Sequence, residues 1–290
     1  MKAFAERPLT LLAVFAHPDD ETFAIGGTLA KYAHEGVHVY LVCATRGEAG
    51  ELGDPSLGDK AHLGQIREQE LRCAARVLGL KDIYFLGYRD SGMAGSPDNQ
   101  HPQALIQADP AEVVGKIVYH IRRLRPQVVV TFDEGGGYGH PDHVAIHHYT
   151  QAAFFAAGDP TRYPEHLQEG LEPWSPQKLY YTALPRRFFR RVQAKLQELG
   201  VDMERLQQYD LEHRGLPDEM CTTEIDVSDY VEYRLRAGQC HASQLSAHSL
   251  FRLLPPTVLA ELLSTECFAR EGRRLQPGEP PESDLFAGLR

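Results

Sequence analysis

An α/β fold, with a mostly parallel sheet and helices on both faces, is predicted by three features of this 290-residue chain. Short runs rich in valine and isoleucine recur, amphipathic helical patterns lie between them, and a polar loop follows each run. Strand and helix in alternation imply parallel pairing with right-handed crossovers, because a crossover helix must pack back onto a twisted sheet.

The first run, 10–16, is apolar almost throughout and leads into His17, Pro18, Asp19, Asp20 and Glu21. Unbroken apolar character marks a strand covered on both faces, and the runs at 38–43, 82–86 and 127–132 share it. Helices are predicted over 26–36, 65–79 and 110–124. In the last of these Val113, Val114, Ile117, Val118, Ile121 and Leu124 keep the spacing of a buried stripe, with Pro110 near its start and Pro126 just past its end. Beyond residue 157 the pattern loosens. A proline-rich loop covers 158–177, a strand 178–184, a helix 186–200, and a short strand running into a helix 222–244. One domain over 1–290 is expected: a Rossmann-like core over 1–157, a C-terminal elaboration over 158–270, and a tail over 271–290 whose composition is that of a poorly ordered segment.

A composition of 42% apolar and 24% charged residues is that of an ordinary soluble protein. No run approaches the roughly 18 apolar residues of a membrane span, so no membrane partner is expected. The formal charge of -10 disfavours nucleic acid. The arginine clusters at 122–125 and 186–191 read as solvated helix faces. Cys43, Cys73, Cys221, Cys240 and Cys267 form an odd, scattered set without a C-x-x-C pair, which argues against a disulfide framework and for a cytoplasmic location.

Ligands of parallel sheets gather at the carboxyl ends of the strands, which places 17–21, 44–54, 88–93 and 133–143 on one rim. His17 and Asp20 are three apart, so a turn entering a helix presents them on one face and leaves Asp19 beside it. Catalytic zinc takes three nitrogen or oxygen ligands and a water, so a third ligand is required. His140 and His143 repeat the same separation after another buried strand. The plain alternative is a pair of helix N-cap turns in which Asp19 and Asp142 satisfy backbone amides. Two such motifs with complementary ligand types favour a metal.

"AHPDDE" with a downstream "HPDH" resembles the signature of the PIG-L/LmbE superfamily of zinc-dependent N-acetylglucosaminide deacetylases. The similarity spans most of 9–245 and weakens after the second motif. It implies an LmbE-like, Rossmann-like fold, one zinc ion per chain held by His17, Asp20 and His143, and Asp19 as general base. Iron(II) or cobalt suits such a site as well. It further implies help for the oxyanion from His140, with Asp142 orienting that imidazole, and from Tyr138 in its glycine-rich loop. Either Asp19 or His140 would protonate the departing amine. Arg67 and Asp90 match residues that contact sugar hydroxyls or a substrate anion, and Glu48 is a weaker candidate. Arg67 could instead pair with Glu68 or Glu70 along its helix.

The expected substrate is a small N-acetylglucosaminide of the GlcNAc-malate or GlcNAc-inositol type, as in the bacillithiol and mycothiol pathways of thiol biosynthesis. A thiol-conjugate amidase of the same superfamily and a noncatalytic sugar- or metal-binding module are the alternatives. A dinucleotide site is disfavoured, because acidic HPDDE stands where a glycine-rich phosphate turn would lie. Oligomeric state is not legible, and a homo-oligomer stays open.

Overall fold

The computed structural model describes residues 8–53, 55–200, 214–245, 254–276 and 278–290. Its strands are β1 (Thr10–Phe15), β2 (His38–Thr45), β3 (Asp82–Tyr88), β4 (Val128–Thr131), β5 (Lys178–Ala183), β6 (Thr223–Asp226) and β7 (Thr265–Arg270). They form one sheet in the order β3-β2-β1-β4-β5-β7-β6. The first five are parallel, whereas β7 runs antiparallel to both β5 and β6. The α/β expectation therefore holds.

The described helices that matter here are α1 (Asp20–His34), α2 (Leu63–Leu78), α3 (Pro110–Leu124), α4 (Gly136–Gly139), α5 (Pro141–Ala156), α6 (Glu165–Gln168), α7 (Arg186–Glu198), α8 (Val231–Cys240) and α9 (Pro256–Leu262). β1 and β4 are completely buried, as their unbroken apolar character requires. Between them the strand order reverses, since β2 and β3 lie on one side and β5 on the other. That reversal opens a crevice at the carboxyl ends of β1 and β4. Both His-Pro-Asp turns leave the sheet there.

Several expectations need correction. α1 begins at Asp20, six residues earlier than predicted, and is broken at Ile25. The segment foreseen from Gly26 is its second half. There the Glu266 carboxylate of β7 accepts from the N–H groups of Gly27 and Thr28 at 3.0 and 2.7 Å, as an anion does at a helix start. β7 and α9 were not foreseen. The C-terminal segment is not loose: Leu285 and Phe286 are fully buried, and Tyr32 Oη donates to Asp284 at 2.8 Å. Arg122 is not on a solvated face either. It is 2% exposed and donates to the carbonyls of Ala157, Asp159, Arg162 and Tyr163. Contrary to the expectation of no disulfide framework, a Cys73–Cys240 disulfide joins α2 to α8, so the cysteines do not speak for a cytoplasmic location. No described helix is long and apolar enough to cross a membrane.

Candidate active site

β1 delivers His17 and its turn delivers Asp20 into the first turn of α1; β4 leads through α4 to His140 and His143 at the start of α5. His17 Nδ1 lies 3.1 Å from His143 Nε2, Asp20 Oδ1 3.3 Å from His143 Nε2, and Asp20 Oδ2 3.7 Å from His17 Nδ1. All three residues are less than 10% exposed. The structure thus brings together the three side chains assigned to the metal.

Their outer atoms decide what the inner ones offer. His143 Nδ1 faces the carbonyl of Gly136 at 3.1 Å, and His17 Nε2 faces Asp142 Oδ2 at 3.1 Å and Asp90 Oδ1 at 3.4 Å. Each outer nitrogen must carry the proton, which leaves a lone pair on each inner nitrogen. Two ring nitrogens and a carboxylate aimed at one point call for a cation among them, either a second proton on His17 or a metal ion in its place. Ligand bonds of about 2.0–2.1 Å in a tetrahedron place ligand atoms about 3.3 Å apart, close to the separations found. The residues fit a divalent metal. His140 is near enough to join, since ligand atoms of His17, His140 and His143 lie within 4.8 Å of one another; His17, Asp90 and Asp142 form a second such group.

The acidity of the region follows from this crowding. Burial would raise the Asp20 carboxyl, but His143 and His17 beside it bring it down to about 2. Asp90 is held well below the usual range, its burial outweighed by the bond to His17. Burial also disfavours a charged His17, yet Asp142, Asp90 and Asp20 raise its pKa well above the ordinary value.

Asp19 behaves differently. Burial pushes its carboxyl up to about 6, against the pull of Arg67, whose Nη2 donates to Asp19 Oδ2 at 3.1 Å. Its backbone has φ 126°, a conformation that strongly disfavours a side chain. Arg67 is 3% exposed and also donates to the carbonyls of Pro18 and Gly47 at 2.7 and 3.0 Å. A Cβ on Gly47 would stand 2.1 Å from Arg67 Nη1, so this approach needs glycine. The alternative intrahelical pairing of Arg67 is not adopted: Glu68 holds Arg46 and Arg72, and Glu70 holds Ser243.

Asp142 does not orient His140. Its carboxylate crosses to His17 and accepts from Ser91 N–H at 2.9 Å, while His140 Nδ1 accepts from Asp142 N–H at 3.1 Å and so caps α5. The physical reason is its position two residues after His140, which points its side chain to a different side of the turn, toward His17 and Ser91. Burial, with His17 and His143 alongside, lowers the His140 pKa to about 4 and favours the neutral ring. Tyr138 is half exposed and meets the His143 ring edge-on at 5.0 Å. Glu48 is half-buried, and its carboxylate accepts from Asp90 N–H at 3.1 Å.

Sequence reasoning gave no role to Glu21 or Ser243 and considered Glu70 only as a partner for Arg67. Glu21 and His241 are fully buried and 2.8 Å apart. A third acid in a motif whose chemistry uses two was the available signal. A cavity of about 370 Å3 adjoins the site, lined among others by Asp20, Phe23, Phe132, Tyr138, His143 and Phe189.

Residues 12–154 match the model of the PIG-L family, described as GlcNAc-PI de-N-acetylase. The 1D-myo-inositol 2-acetamido-2-deoxy-alpha-D-glucopyranoside deacetylase of Thermobifida fusca is 40% identical over 290 residues, covering 96% of this chain and 98% of that protein. Among solved structures, the N,N'-diacetylchitobiose deacetylase of Pyrococcus horikoshii matches with a TM-score of 0.63 and 24% identity, covering 90% of this chain and 83% of that one. The 4-carboxy-2-hydroxymuconate hydratase of Pseudomonas putida matches with a TM-score of 0.60 and 19% identity, over 92% of this chain and 98% of that one. Such likenesses establish the fold and leave the chemistry to the site.

Proposed function

The chain belongs to the PIG-L family, and we propose that it hydrolyses the acetamide of a small N-acetylglucosaminide, of the GlcNAc-inositol kind that its T. fusca relative is named for. What carries the reading is one juxtaposition: His17 Nδ1, His143 Nε2 and Asp20 converge within 3.7 Å, with the carboxylate of Asp19 beside them on a strained backbone. His17, Asp20 and His143 would hold a single zinc ion, which when bound supplies the Lewis acidity that activates water and polarises an amide carbonyl.

This chain's own groups do the rest. Asp19 takes the proton of the attacking water at its carboxylate, which burial makes basic enough to hold it and Arg67 keeps in place. A largely neutral His140 and the nearby Tyr138 hydroxyl offer hydrogen bonds where negative charge develops on the carbonyl oxygen. Asp19, which then holds the proton taken from water, returns it to the departing amine. Asp90 and Glu48, with Arg67 behind them, form the polar side of the site where sugar hydroxyls bind.

The test measures amine released from GlcNAc-inositol, GlcNAc-malate and an N-acylated cysteine conjugate, alongside metal content. The expected result is about one zinc per chain and fastest release from a glucosaminide. Preference for the cysteine conjugate would move the protein to amide cleavage of thiol adducts. Bound metal without turnover of any of the three would leave a binding module.

A further inference from the structure

We propose that Glu21 and His241 form a positioning pair for Asp19, tethered by the Cys73–Cys240 disulfide; this rests on the reading of Asp19 as the base. Glu21 divides its carboxylate in two. Oε2 accepts from Asp19 N–H at 3.0 Å, while Oε1 accepts from His241 Nε2 at 2.8 Å and from Thr22 Oγ1 at 2.5 Å. Asp19 occupies a conformation that its own backbone resists, so something around it must hold it there. Glu21 holds the backbone and Arg67 the side chain. Glu21 is wholly buried, and such a carboxylate is tolerable only with a donor opposite; His241, equally buried, is that donor.

His241 comes from 220 residues away and has to be delivered. It follows directly on α8, whose last residue, Cys240, is bonded to Cys73 of α2 with a Cα separation of 5.7 Å. Two residues on, Ser243 donates through N–H and Oγ to Glu70 at 2.7 and 2.6 Å, and its carbonyl accepts from Gly53 N–H. Arg67, Glu70 and Cys73 are spaced three apart, which places them along one side of α2. One helix therefore holds Asp19 from both directions: directly through Arg67, and through Cys73, Glu70 and the 240–243 segment by way of Glu21.

The experiment compares His241→Leu, His241→Gln and the double variant Cys73→Ser/Cys240→Ser with the parent and with Asp19→Asn, each with zinc content and circular dichroism recorded. His241→Leu should lower kcat about 100-fold, as expected for a catalytic group displaced by about 1 Å, with KM and zinc unchanged. His241→Gln keeps an N–H for Glu21 and should recover most of that loss. The disulfide variant should lose about 10-fold in kcat with KM unchanged. Equal losses in the Gln and Leu variants, or a His241→Leu enzyme as fast as the parent, overturn the pairing. A folded disulfide variant with parental kcat overturns the tether. If His241→Leu does not fold, the disulfide and His241→Gln variants decide: impaired kcat in the first with near-parental kcat in the second supports the device, and parental kcat in both overturns it. An Asp19→Asn enzyme with full turnover removes the base itself, an outcome distinct from an inactive Asp19→Asn beside a fully active His241→Leu.

Discussion

His17-Pro18-Asp19-Asp20 and His140-Pro141-Asp142-His143 follow neighbouring strands and read almost alike, yet only their fourth positions behave alike. Asp20 and His143 face each other at 3.3 Å. At the first position His17 commits both ring nitrogens to the buried cluster, whereas His140 spends Nδ1 on capping α5. The third positions diverge most. Asp19 has φ 126° and sits at the rim against Arg67; Asp142 is fully buried in an ordinary helical first turn and supports the opposite histidine. Strain persists where surroundings overdetermine it, and here it marks the turn assigned to proton transfer. The third position of the other turn, Asp142, serves instead as a support for His17.

The largest expected effect comes from removing the position at which the turns agree. His143→Ala should abolish zinc retention through gel filtration and reduce turnover by more than about 10^4-fold, because no third ligand replaces it. Retained stoichiometric zinc by elemental analysis would mean that His140 takes over the coordination. Next comes Asp19→Asn, the change that tests the strained turn alone. Zinc content should stay parental while kcat falls about 10^2 to 10^4-fold, the range for a lost general base. If zinc left together with activity, Asp19 would belong to the coordination sphere.

Much of this was legible beforehand because it depends on local periodicity. Unbroken apolar runs announced β1 and β4, and the i, i+3 spacing announced which members of each motif share a face. What sequence could not supply was anything decided by partners distant in the chain. The destination of Asp142 depends on β1 lying beside β4, and a motif read by itself assigns that carboxylate to its neighbour His140. The start of α1 at Asp20 was hidden because the break at Ile25, with Glu266 filling it from β7, interrupts the helical period. The order of the last residues rests on Leu285 and Phe286, two apolar side chains in a segment whose average composition is polar.

A milder substitution separates the two third positions. Asp142→Asn keeps an oxygen for His17 Nε2 and for Ser91 N–H but removes the charge that makes His17 a strong donor. Zinc affinity, followed by competition with a chromophoric chelator, should weaken about 10 to 100-fold, as such outer partners typically cause. At saturating zinc, kcat should lie close to parental. Asp19→Asn is expected to show the reverse pattern, parental affinity and little turnover. Matching behaviour in the two variants would erase the contrast between the turns.

The smallest effect expected concerns the cap. His140→Ala removes the acceptor for Asp142 N–H at the start of α5, a loss worth about 1 kcal/mol in unfolding free energy. His140→Asn can cap the helix as well as the parent and should restore that stability in urea titration, since asparagine is a favoured residue at this position. Turnover should not return with it, because an amide at 140 whose oxygen caps the helix presents its N–H at a shorter reach than the far ring nitrogen of His140. Stability and kcat would then separate along two substitutions of one residue. Should asparagine restore both, the ring of His140 would act as a cap alone, and the second turn would be scaffold throughout.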